Sequence, residues 1–247
     1  MRKSTKMRAR CSIGLIASAA FCFAAAARAD ESVFESGPNK VHLLELFTSE
    51  GCSSCPPAEE WLTKLKQNPG LWRDFVPVAF HVDYWDRLGW RDRFAAKEWT
   101  VRQQTYATRW NAESVYTPGF VIDGREIRVP EAPPRSEETI GSLRLRISGN
   151  DALVTFHSAK KNGRDYEVYL ATLGFALTSD VAAGENHGRK LTHNFVVLSM
   201  QKVLLPAGAN EATLSIDKSR VVRNGAVAAW VTYSGDPTPI QAAGGWL

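Results

Sequence analysis

"ELFTSEGCSSCPPAE", Glu45 to Glu59, sets two cysteines three positions apart, between a hydrophobic run and two prolines. Its reading decides the fold expected of the chain, because such a pair can be half of a metal clip, an inert staple or a redox centre. Upstream, "VHLLELF" (41–47) is almost continuously apolar, as a strand buried on both faces should be. Downstream, "PPAEEWLTKLKQ" repeats Ala58, Trp61, Leu62 and Leu65 at i, i+3, i+4, i+7, a helical stripe that "NPG" stops.

How many thiols matter depends on the first thirty residues. "MRKSTKMRAR" is a basic leader, and "CSIGLIASAAFCFAAAA" is an apolar stretch too short and alanine-rich for a good membrane span. Ala27, Arg28 and Ala29 then offer a cleavage site before Asp30, which completes the anatomy of a secretory signal peptide over 1–29. A retained N-terminal anchor is the other reading. Cys22 follows Phe21 where a lipoprotein would need a small residue, so it is a passenger. Cleavage near Ala29 implies a periplasmic or secreted protein with no stable membrane span in the mature chain. The full chain has 30 basic and 26 acidic residues, net +4; losing six basic residues with the leader leaves 24 against 26, net −2. A nucleic-acid partner is therefore not expected. Cys11 and Cys22 leave as well, so Cys52 and Cys55 are the remaining thiols. A secreted chain meets an oxidising environment, yet a ring this small constrains few unfolded conformations and makes a poor staple.

Further along, "FVPVAFHV" reads as a second strand and "DRFAAKEWTVRQQTYATRW" as a second helix, whose apolar face (Ala95, Trp99, Tyr106, Trp110) is interrupted near Arg102 and Gln103. "GFVID" and "EIRV" are short strands joined at "DGR", where Asp-Gly signals a hairpin. "PEAPPRSEETIGSL" is a Pro-rich connection expected to close with a short helix. After Leu143, "LRLRISG", "ALVTFHS", "DYEVYLATL", "HNFVVLSMQKVLL", "ATLSID" and "AVAAWVTYS" are strand-like. The expected fold class is thus an α/β N-terminal domain over 30–141, followed by an all-β antiparallel, sandwich-like C-terminal region over 142–247.

The order strand, Cys-x-x-Cys, helix, strand, helix, Thr-Pro, strand, hairpin resembles the thioredoxin fold. In that reading Cys52 is the nucleophile, Cys55 the resolving thiol, and Pro118 of "VYTPGFV" a cis proline facing them; an ordinary trans proline is the alternative. A helix N-terminus favours a thiolate, although Cys55-Pro56-Pro57 pushes the regular helix toward a later start. Glu45 is the candidate acceptor for the Cys55 proton, or else a partly exposed strand residue. The loop "HVDYWDRLGW" follows the second strand at the same rim, where Asp83, Tyr84, Trp85 and Thr117 are candidate partner-binding residues; packing aromatics and solvated charges are the plainer reading.

With "ELFTSEGCSSCPPAE", "AFHVDYWDRLGW", "VYTPGFVIDG" and "GENHGRKLTHNFVV" in family order, the chain resembles the secreted family catalogued as domain of unknown function 1223. The resemblance implies a thioredoxin-like fold and a periplasmic or secreted location, and supplies no reaction. In the last motif Glu185, Asn186, His187, Arg189 and His193 present a polar site, contact the front domain, or are merely solvated. Three functions stay open. The first is a thiol–disulfide oxidoreductase with no cofactor beyond its redox-active disulfide, acting on a disulfide- or thiol-bearing protein or small molecule. The second is a Cu(I)-binding module with Cys52, Cys55 and His81 as ligands. The third is a non-catalytic envelope protein with a closed disulfide. "GDPTPIQAAGGW" makes no phosphate loop.

Overall fold

The computed structural model describes residues 1, 31–128, 130–160, 163–216 and 225–247. The expected signal peptide and its cleavage site lie outside the described residues. In chain order the elements are β1 (Glu31–Glu35), β2 (His42–Thr48), α1 (Cys55–Lys64), β3 (Phe75–His81), α2 (Lys97–Arg109), β4 (Gly119–Ile122), β5 (Arg125–Ile127), β6 (Gly141–Ser148) and β7 (Asp151–Ser158). They continue with β8 (Tyr166–Gly174), β9 (Leu177–Asp180), β10 (Lys190–His193), β11 (Val196–Leu205), β12 (Glu211–Ser215), β13 (Ala226–Tyr233) and β14 (Pro239–Trp246).

β3, "FVPVAFH", buries all seven residues, so both its edges and both its faces need covering. β2 pairs with one edge in parallel from His42↔Phe75 to Thr48↔His81. β11 takes the other edge, also in parallel, at Val196↔Ala79. The result is an eight-stranded mixed sheet in the order β14-β13-β8-β11-β3-β2-β4-β5, with four strands from each side of residue 141. β4 and β5 form the expected hairpin, with Asp123 and Gly124 at φ of 48° and 76°, which Asp and Gly tolerate best.

This overturns the expected fold class. The chain is mostly β, with two α-helices against fourteen strands among the described residues, and it does not form an α/β thioredoxin-like domain followed by a separate all-β region. The order strand–helix–strand was legible, but a strand as apolar as β3 cannot leave an edge open, and a strand from beyond residue 141 closes it. The short helix expected in "PEAPPRSEETIGSL" is also absent among its described residues.

Strand alternation assigns the faces. Leu44 and Leu46 pack with Ala58 and Leu62 of α1, whereas Leu43 and Phe47 pack with Trp99 and Tyr106 of α2. The helices therefore cover opposite faces. On β8 and β13, Tyr169, Ala171, Ala228 and Trp230 join the core under α2. Their alternates Val168, Leu170, Val227, Ala229 and Val231 pack against a four-stranded sheet, β1-β6-β7-β12. β14 lies close to its neighbours: a Cβ at Gly244 would come within 2.6 Å of the Val227 carbonyl oxygen, and one at Gly245 within 2.3 Å of Phe34.

Candidate functional site

Cys52 ends the turn after β2, and Cys55 is the first residue of α1. Ser54, in right-handed helical conformation, is the N-cap, so the helix starts at Cys55 and not at Pro57. The helix terminus nevertheless offers few free donors. Cys55 N–H bonds to the Cys52 carbonyl at 3.2 Å, and the two prolines that follow have no N–H. Side chains do more. Hydrogen bonding from Cys55, with the Ser54 hydroxyl 3.2 Å away, outweighs burial and pushes the Cys52 thiol down to about 6. Burial, reinforced by the adjacent Cys52 sulfur, pushes Cys55 up. The pair thus holds an easily ionised thiol and a protonated neighbour, both reduced in this structure.

Both cysteines are 0% exposed. The segment between β9 and β10 helps cover them. Asn186 donates from Nδ2 to the carbonyls of Glu50 and Cys52, each at 2.9 Å, and Glu185 accepts from the Ser53 amide and hydroxyl at 3.0 and 2.7 Å. Arg189 bonds Asn186 Oδ1 at 2.8 Å, while His187 is exposed. "GENHGRK" therefore contacts the cysteine turn, one of the roles its charge pattern suggested.

The Thr117–Pro118 peptide bond is cis, as expected. The Thr117 carbonyl accepts from Cys52 Sγ at 3.7 Å, and Trp85 Nε1 donates to Thr117 Oγ1 at 2.7 Å. Tyr84 joins the same wall through Gln103, which donates to the Tyr116 carbonyl at 2.7 Å. Thr117, Trp85 and Tyr84 are thus brought together near Cys52. Asp83 is directed elsewhere, accepting from Thr100 Oγ1 at 2.5 Å.

Glu45 does not face Cys55. Its position in β2 puts it on the α2 side, where Arg102 Nε donates to Oε2 and Tyr106 Oη to Oε1, each at 2.6 Å. This pair explains why the apolar stripe of α2 breaks at Arg102. Thr48 occupies the place expected for Glu45: its hydroxyl lies against the Cys55 thiol and donates to Glu59 Oε1 at 2.6 Å.

Beyond Thr48 is a buried polar cluster that sequence reasoning missed as a unit. His193 ends β10 and lies between Glu59, which its Nδ1 contacts, and Glu50 Oε1, 3.2 Å from its Nε2. Burial opposes its charge, but the two carboxylates prevail and push it up to about 10. His81 Nδ1 is 2.6 Å from Asp92 Oδ2, and the His81 and His193 rings are 5.0 Å apart. His81 was expected as a third Cu(I) ligand beside Cys52 and Cys55; instead it groups with Glu59 and His193, and no such group among the described residues includes a cysteine. The signal was the alternation of β2 and β3, which turns Thr48 and His81, partners in register, toward α1.

The model for the family described as protein of unknown function, DUF1223, matches residues 43–232. The chain belongs to the DUF1223 family. The match covers the cysteine pair, the cis proline and both halves of the buried cluster, so the DUF1223 region holds the whole candidate site. No curated protein matches it. Among solved structures the chain is similar to protein AGR_C_4864 from Agrobacterium tumefaciens, at 25% identity and a TM-score of 0.61, covering 84% of this chain and 94% of that one. HBP35 of Porphyromonas gingivalis, 16% identical with a TM-score of 0.55 over 86% of this chain and 76% of that one, shares the fold alone. Among the described residues no helix is long and apolar enough to cross a membrane.

Proposed function

We propose that this DUF1223 chain is a periplasmic or secreted thiol–disulfide oxidoreductase whose redox pair is Cys52 and Cys55. The observation that carries the reading is the asymmetry of the two thiols, one stabilised as an anion by three neighbouring hydrogen-bonding groups and one kept protonated by burial. The Cys52 thiolate attacks a partner disulfide, forming a mixed disulfide and releasing one partner thiolate. Cys55, on losing its proton, attacks the Cys52 sulfur, closes the Cys52–Cys55 bond and releases the second. The partner gains two electrons and the pair loses two; the reverse sequence oxidises a dithiol. The Thr48–Glu59 hydrogen bond gives the Cys55 proton an outlet.

Full burial of the pair makes withdrawal of Glu185 and Asn186 part of the cycle. A cleft of about 400 Å³ lined by Phe47, Trp110, Tyr116 and Gly119, with Glu126 and Arg128 among its charged residues, reaches the residues on either side of Thr117-Pro118 and offers a seat for the partner. The test is trapping. Cys55→Ser protein should accumulate a mixed disulfide with a peptide disulfide, and Cys52→Ser should not; equal trapping by both, or by neither, overturns the assignment.

A second reading rests on that burial: a permanently closed pair in a non-catalytic envelope protein. It requires that folded wild-type protein resist both dithiothreitol and glutathione, whereas the oxidoreductase exchanges with them while folded.

A further inference from the structure

Behind the cysteine turn, Glu59 from α1, His81 from β3 and His193 from β10 each direct one ligand-type atom to within 4.8 Å of the other two, and all three residues are buried. Glu50 and Asp92 complete the cluster, both buried. Thus three carboxylates and two imidazoles share a site away from water.

His81 supplies the decisive detail. Its Nδ1 is held by Asp92 at 2.6 Å, its side chain is 0% exposed, and its Nε2 has no hydrogen-bond partner among the described residues. A buried nitrogen in that state costs about 1 to 3 kcal/mol relative to a satisfied one. The three carboxylates outnumber the two imidazoles, and the Nε2 of His81 faces no hydrogen-bond partner among the described residues. A divalent cation resolves both problems, neutralising carboxylates and accepting the Nε2 lone pair. A carboxylate on the far nitrogen of a ligating histidine is also the arrangement that fixes its tautomer and raises its basicity.

We propose that Glu59, His81 and His193 form a buried site for a divalent first-row transition ion of the Zn(II) class, with Asp92 and Glu50 as positioning residues for the two imidazoles. Two imidazoles and one carboxylate are a donor set suited to Zn(II) and its neighbours. Binding displaces the proton from the His193 nitrogen that enters coordination. The site includes neither cysteine and does not depend on redox activity, although it shares Glu59 with the proton path proposed for Cys55. It joins the second turn of α1 to the ends of β3 and β10, and through the Glu59–Thr48 hydrogen bond it reaches the Cys55 side of the helix start.

The test uses the mature chain, stripped with a chelator and then dialysed against Zn(II) or Co(II). Wild type should retain about one metal ion per chain by elemental analysis, and so should the Cys52→Ser/Cys55→Ser double variant. The Co(II) form of wild type should show ligand-field bands of a nitrogen–oxygen set without a thiolate-to-cobalt charge-transfer band, a readout that needs no variant. His81→Gln and Glu59→Gln should each lower metal affinity at least tenfold while keeping the far-ultraviolet circular dichroism of wild type. No bound metal in wild type, loss of metal in the double-cysteine variant, a thiolate band, or full retention in a folded His81→Gln protein would each overturn the proposal.

Discussion

Cys52 and Cys55 share a hydrogen bond that favours ionisation of one and opposes ionisation of the other. Because the Cys52 value lies below the ordinary thiol value of about 8.5, its thiolate persists at neutral pH and is lost as pH falls through about 6. The rate of iodoacetamide labelling at Cys52 in folded, reduced protein should therefore level off by about pH 7, with Cys55 unlabelled throughout. A rate still rising steeply from pH 8 to pH 9 contradicts this. Arg102 makes a second prediction. It is buried against Glu45 and lies over the Tyr169 and Trp230 rings at 5.6 and 5.3 Å. Removing one member of a buried pair strands the other, at about 3 to 5 kcal/mol. Urea denaturation of Arg102→Met should show a loss of that order, and adding Glu45→Gln should restore part of it.

At the scale of elements, the segment from Gly184 to Arg189 couples to the cysteine turn through few bonds. Asn186→Ala removes two of them, each of about 0.5 to 1.5 kcal/mol, so labelling of Cys52 should speed up by roughly 5- to 150-fold if opening of this segment gives access; an unchanged rate places the gate elsewhere. β14 is the contrasting case, with no room to move. Gly245→Ala drives a methyl into Phe34, and overpacking of this kind typically costs about 1 to 3 kcal/mol, measurable as a lower midpoint in thermal unfolding. Most elements were readable in advance: β2, β3, α1 and α2 from their periodicity, and the β4–β5 hairpin from Asp123-Gly124. β14 was not, because "PIQAAGGW" carries few large apolar residues; its glycines leave room for Val227, Trp72 and Phe34 to approach closely.

For the whole molecule, the eight-stranded sheet ties the sequence on either side of residue 141 into one hydrogen-bonded layer. A fragment spanning 31–141 would expose the outer edge of β3 and the face of α2 that meets Trp230 and Tyr169. That fragment should lack a cooperative thermal transition, while the full chain should unfold with matching near- and far-ultraviolet signals; an autonomous, monomeric fragment with sharp melting would refute this. The candidate site has the same dependence, since Glu59 and His81 come from the first half and His193 and Asn186 from the second.

Local chemistry was written in the chain itself. Apolar runs and helical stripes marked the strands and helices, and the cysteine spacing marked a close pair of thiols. Those features depend on residues a few positions apart, so the sequence determined them alone. Tertiary structure decided that β11 closes β3, that Pro118 is cis and not trans, that both thiols are covered, that Glu45 belongs to Arg102, and that His81 meets His193 and Glu59. Each depends on pairing and register between segments far apart in the chain, and a one-residue change in register would reverse which side chains face each other.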